Sequence, residues 1–146
     1  MTNHAFKTGM NEIGVTSDGF KLSALLFVPE NADAEQPKPG IVIARPGTGV
    51  KEQTAAVYAE ALCKLGFVTL AFDAKGFGDS EGQHKQVENP YSVVEDIKNC
   101  TSFLNSLAIV DSSKLFNVGI CMGAGYAYYA TALDARVKAV GMISLI

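Results

Sequence analysis

Basic charge is scarce in this sequence. Lys and Arg number 12 against 15 Asp and Glu, for a net charge of −3. Nothing here resembles the basic patch that tracks a phosphate backbone, so no nucleic-acid partner is expected. Cysteine is scarce too. Cys63, Cys100 and Cys121 are odd in number and widely spaced, which argues against a disulfide framework or a zinc cage. No metal and no cofactor is expected, and a reducing, cytoplasmic setting fits best. Long apolar runs are missing as well. No stretch approaches the roughly 18 apolar residues that span a bilayer, and Met1 to Met10 lacks the apolar core of a secretory signal. What is present is ordinary globular material. The composition, 48% hydrophobic and 18% charged, suits a folded core, and 146 residues suffice for one domain.

Turn signals divide the chain. Ile13 to Val28 reads as a hairpin reversing at Ser17-Asp18-Gly19, because Asp-Gly favours the positive φ angles of a tight turn. Pro29 to Gly40 is a proline-rich loop. Ile41 to Ala44 is a short apolar run of the kind buried on both faces of a sheet. Lys51 to Leu65 carries Ala55, Tyr58, Ala59, Leu62 and Leu65 at helical spacing, and Gly66 stands where a capping glycine belongs. Phe67 to Phe72 is a second buried strand, and Asp73 to Asn89 a long glycine-rich loop. The pattern continues with a helix over Pro90 to Leu107, a strand over Leu115 to Ile120, a helix over Met122 to Leu133 and a fourth strand over Val137 to Ile146. Strands alternating with helices imply an α/β fold on a mostly parallel sheet with right-handed crossovers.

Gly119-Ile120-Cys121-Met122-Gly123 closes one predicted strand and opens the next helix. This is the context in which G-x-S-x-G forms a nucleophile elbow, here with cysteine at the centre. The nucleophile sits on a strained strand-to-helix turn, and a Cβ two positions before or after it would strike neighbouring backbone. The helix opening at Met122 points its positive end at the thiol and stabilises a thiolate. Its first N–H, that of Met122, is placed to meet a developing oxyanion. Cys63 and Cys100 lie within helical patterns and read as buried structural cysteines.

Two more stretches complete a resemblance. Phe72-Asp73-Ala74-Lys75-Gly76-Phe77-Gly78-Asp79-Ser80-Glu81-Gly82 resembles the D-x-R-G-x-G-x-S segment of α/β hydrolases, with Lys75 in place of the usual Arg. Arg45-Pro46-Gly47-Thr48-Gly49 resembles their H-G or H-P-G turn, with Arg45 where His is common. Together with the cysteine elbow these are similar to the dienelactone-hydrolase-like branch, which includes polyketide acyltransferase relatives. The resemblance runs from about Ile13 to the last residue. It implies a three-layer sandwich and a single partial α/β-hydrolase domain over residues 1–146. It also implies a second oxyanion N–H from Thr48, or from Gly49 if the turn is shifted by one. Asp73 and Asp79 read more simply as carboxylates that steady their own loop, and Glu81 and Glu88 as solvated charges.

The rest of a catalytic triad is not in sight. In this superfamily the acid and the histidine follow the nucleophile, yet no histidine follows Cys121, and Asp134 falls at the far end of the elbow helix. His84 lies in the long loop at the same end of the sheet as the elbow, and His4 in a loose N-terminus. Three readings stay open. The first is hydrolysis of a small-molecule ester, lactone or thioester by Cys121, with Met122 and Thr48 as oxyanion donors. The second is a catalytically incomplete module that binds a ligand or assembles with a partner chain. The third is dinucleotide binding at Gly47-Thr48-Gly49, which Glu52 at the third glycine position disfavours. The strand Val137–Ile146 is expected to form a sheet edge that pairs with a second copy or a complementing chain.

Overall fold

A computed structural model describes residues 6–145. The hairpin forms as expected. β1 (Gly9–Ser17) and β2 (Phe20–Val28) pair antiparallel, joined by Asp18 and Gly19 at φ 48° and 83°, the left-handed pair that a two-residue reversal requires. Then follow β3 (Lys38–Ala44), α1 (Thr54–Lys64), β4 (Val68–Phe72), α2 (Pro90–Ser106), β5 (Val110–Ile120), α3 (Met122–Ala132) and β6 (Val137–Ile143). The sheet order is β1-β2-β4-β3-β5-β6. β4, β3, β5 and β6 run parallel, and the hairpin is added antiparallel beside β4.

Alternation along the inner strands splits the core into two layers. Leu22, Leu26, Val42, Leu70 and Phe72 face α2 and α3, where they meet Val94, Ile97, Leu104 and Ala127. Leu25, Phe27, Ile41, Ile43 and Ala71 face α1 and meet Ala55, Ala59 and Cys63. Helices on both faces of the sheet make the predicted three-layer sandwich, and each fully buried large apolar side chain contributes about 1.5–3 kcal/mol. Thr69 is the polar exception on the α1 face, and its hydroxyl donates to the Ala59 carbonyl at 2.7 Å.

Several boundaries differ from the sequence reading. β1 starts at Gly9 because the ladder with β2 extends past the apolar positions. β5 starts at Val110, where it meets Lys38, so a polar run at Asp111–Lys114 belongs to the strand. Lys51 precedes α1 instead of opening it. β6 lies at an edge of the described sheet with Lys138, Ala139, Gly141 and Met142 exposed. Ile146, the end of the expected strand, and His4 lie outside the described residues. Among the described residues no helix is long and apolar enough to cross a membrane.

Candidate active site

Cys121 stands alone between β5 and α3 at φ 56°, ψ −125°, a conformation that costs a non-glycine residue about 1–3 kcal/mol. The surroundings leave it no alternative. Its N–H donates to the Ile143 carbonyl at 2.9 Å, and its own carbonyl accepts from the Ala124 N–H at 2.9 Å. A Cβ on Gly119 would overlap the Gly123 carbonyl oxygen and Ala124 Cα, and one on Gly123 would overlap the carbonyl oxygens of Ala44 and Arg45. The two glycines therefore let α3 dock directly on the ends of β5 and β3. Cys121 is half-buried and sits at the positive end of α3. Met122 opens that helix, so its N–H is among the donors without an intrahelical acceptor.

The end of β3 supplies the opposing wall. In the turn after Ala44, Thr48 adopts φ 58° and Gly49 donates to the Pro46 carbonyl at 3.1 Å. The Met122 side chain lies over Gly47 so closely that a Cβ there would push its thioether aside. The three residues singled out from the sequence, Cys121, Met122 and Thr48, thus lie on two adjoining turns. The Thr48 N–H is not free, however. It donates to the Glu88 carboxylate at 3.0 Å, and that carboxylate is held by Arg45 Nη1 at 3.0 and 3.1 Å. Arg45 is 1% exposed and stacks over the Phe77 ring at 4.5 Å. Its Nε and Nη2 have no hydrogen-bond partner among the described residues. Glu88, expected to be solvated, is instead drawn inward, its side chain 17% exposed.

Residues 73–89 are tied down by charge. Asp73, fully buried, accepts from the Lys51 N–H at 2.7 Å, from Lys51 Nζ at 2.9 Å and from the Asp79 N–H at 3.0 Å. It steadies its own loop, as expected. Lys51 Nζ also meets Glu52 at 2.6 Å and Asp79 at 3.0 Å. Burial would lower the ammonium pKa, but the three carboxylates outweigh it and hold Lys51 above its ordinary value. Glu52, Asp73 and Asp79 lie close enough together to hold a metal ion, yet the lysine ammonium already supplies the cation among them. Lys75 bridges Asp18 at 2.5 Å and buried Asp96 at 3.2 Å. Asn89 then caps α2, its side chain accepting from the N–H groups of Tyr91 and Ser92, which fixes the residue beside Glu88.

Comparison with known proteins settles the lineage. The profile of the family described as serine aminopeptidase, S33, matches residues 36–145. The chain belongs to that family of α/β hydrolases. It is 41% identical to YcjY, an uncharacterized protein of Escherichia coli K12, over 93% of this chain and 45% of YcjY. It is 30% identical to the thiohydrolase aneE of Aspergillus aculeatus over 85% of this chain and 37% of aneE. The crystal structure of PA2218 from Pseudomonas aeruginosa superposes with a TM-score of 0.90 at 35% identity, covering 97% of this chain and 44% of that one. The chain thus spans less than half the length of these relatives.

Within this hydrolase fold the other sequence candidates lie apart from the elbow. His84 is exposed and lines a groove of about 210 Å³ with Phe20, Lys75 and Val87, which includes none of Cys121, Met122 and Thr48. Asp134 lies beyond the last turn of α3 and pairs with Arg136 at 2.9 and 2.6 Å. The guanidinium holds its carboxyl below the usual range. Cys63 and Cys100 are buried, and burial pushes both thiols up, as inert structural cysteines require. Beside the elbow, Pro90, Tyr91, Val94, Met122, Tyr126 and Tyr129 line a groove of about 470 Å³. Sequence reasoning missed Tyr126, Lys51 and the inward turn of Glu88. The alanine-tyrosine pattern of α3 hinted at the first, and nothing local marked the other two.

Proposed function

We propose that this chain supplies the nucleophile and oxyanion half of a hydrolase that cleaves esters, lactones or thioesters through Cys121. The observation that carries the reading is the enforced φ of 56° at Cys121, which presents the thiol at the first turn of α3 beside the Arg45–Gly49 turn. A structural cysteine needs no such strain. The 30% identity to a thiohydrolase favours acyl thioesters and esters as substrates, and the apolar groove lined by Val94, Met122 and Tyr129 suits an acyl chain.

In this scheme the Cys121 thiolate attacks the carbonyl carbon, and the π electrons move to the oxygen, which is met by the Met122 and Thr48 N–H groups. Collapse of the oxyanion expels the alcohol or thiol, which takes up a proton. Water then hydrolyses the acyl-cysteine to the free acid and restores the thiol. His84 and Asp134 lie elsewhere, so we assign the base and its orienting carboxylate to polypeptide outside residues 1–146, in keeping with relatives more than twice this span. The exposed edge of β6 offers unpaired backbone groups to such polypeptide or to a second copy.

Turnover of a p-nitrophenyl ester by the full-length protein tests the reading. Cys121→Ala is expected to reduce kcat by at least about a thousandfold, as loss of a covalent nucleophile does. Undiminished turnover in that variant would transfer the chemistry to another group. A complete absence of turnover in the unmodified protein would favour the binding-module alternative.

A further inference from the structure

Glu88 occupies an unusual place for a surface-loop carboxylate. One of its oxygens accepts from the backbone N–H of Thr48 at 3.0 Å, the donor that an oxyanion would use. Both of its oxygens lean on a single nitrogen of Arg45, Nη1, although carboxylates usually meet a guanidinium across a two-nitrogen fork. Among the described residues, Arg45 Nη2 is left buried without a hydrogen-bond partner. Tyr126 Oη is likewise buried without one among these residues, and burial first, then the charge of Glu88, push its phenol up. The position of Glu88 is not accidental, because Asn89 immediately after it caps α2 and Pro90 begins the helix.

We propose that Glu88 is a resident anion of the oxyanion site, which shapes the Thr48 turn in the resting protein and yields the Thr48 N–H to the substrate oxyanion. The proposal rests on the cysteine-hydrolase reading above. Thr48 must hold φ 58°, and the charge-assisted bond from Glu88 stabilises that conformation before substrate arrives. When a tetrahedral oxyanion forms, the two anions compete for one N–H. Glu88 can give up Thr48 without leaving Arg45, because Nη1 already meets both carboxylate oxygens. Glu88 is accordingly a positioning residue and a brake. It keeps the turn ordered, and its charge opposes charge development in the transition state.

The sign of this effect separates it from a structural role. Glu88→Gln keeps the shape and an acceptor for Thr48, but replaces a carboxylate by a weaker, neutral amide oxygen. In the full-length protein it is expected to raise kcat for a p-nitrophenyl ester about threefold or more, to leave KM within about twofold, and to speed hydrogen exchange at the Thr48 amide about tenfold. A kcat that is unchanged or lower, in a variant that melts like the unmodified protein, overturns the proposal. So does an unchanged Thr48 amide. If Glu88→Gln does not fold, the unmodified protein still decides. A trifluoromethyl ketone, which forms a tetrahedral oxyanion adduct on a thiol, is expected to shift the Thr48 amide resonance, and an adduct that leaves it unmoved overturns the proposal. Turnover that survives Cys121→Ala, by contrast, refutes the underlying cysteine reading, and this proposal falls with it.

Discussion

The elbow at Gly119–Gly123 and the loop of residues 73–89 lie at the same end of the sheet, yet different forces fix them. The elbow is held by backbone. Cys121 is pinned by hydrogen bonds to Ile143 and Ala124, and two glycines allow main chain to touch main chain. The loop is held by charge, through Lys51 on Asp73, Lys75 on Asp96 and Arg45 on Glu88. The elbow has one geometry or none. The loop rests on ion pairs that can exchange partners, and it carries Glu88, whose carboxylate accepts from the Thr48 N–H beside the elbow. Rigidity sits under the nucleophile and adjustability beside it.

This contrast can be broken at both ends. The largest effect is expected from Gly123→Ala, whose Cβ would strike the carbonyl oxygens of Ala44 and Arg45. A loss of about 4–5 kcal/mol in urea denaturation, or outright failure to fold, is the outcome. Gly125→Ala, two residues along the same helix, meets nothing closer than 4.0 Å and is expected to be neutral or to stabilise by up to about 1 kcal/mol through helix propensity. Lys51→Met comes next. It leaves fully buried Asp73 without its cation, and should cost about 3 kcal/mol by the same measurement. Recovery of most of that loss when Asp73→Asn is added would confirm that the orphaned charge, and not lost packing, is responsible.

The smallest effect is a pH dependence away from both regions. Arg136 holds the Asp134 carboxyl below its ordinary value, so the folded state binds that proton less readily than the unfolded chain. The resulting stability is present above about pH 4 and is lost as pH falls through the lowered value. Asp134→Asn should therefore flatten the acid limb of the stability curve, by under about 1 kcal/mol because Arg136 is partly exposed.

What could be read from the sequence follows the same division. The elbow was legible because its constraint is local: two glycines flank a nucleophile between an apolar run and a helix. Ile41–Ala44 and Phe67–Phe72 were legible because strands buried on both faces need uninterrupted apolar side chains. The Asp18-Gly19 reversal was legible from turn chemistry alone. The polar start of β5 at Asp111–Lys114 was not, since its exposed side chains carry no period and the strand is defined by its neighbour Lys38. Glu88 reads in sequence as a solvated charge, and Lys51 only as the opening of a helical segment. Their partners lie 22 and 43 residues away, and only the assembled sheet brings them together.

The most direct measurement is the site of acylation by a p-nitrophenyl ester, read by intact mass and peptide mapping after a rapid acid quench of the full-length protein. The account predicts one acyl group per chain, carried on Cys121, with Cys63 and Cys100 untouched. An acyl group on either buried cysteine, or ester turnover with no acyl-enzyme and no loss on Cys121→Ala, would contradict it.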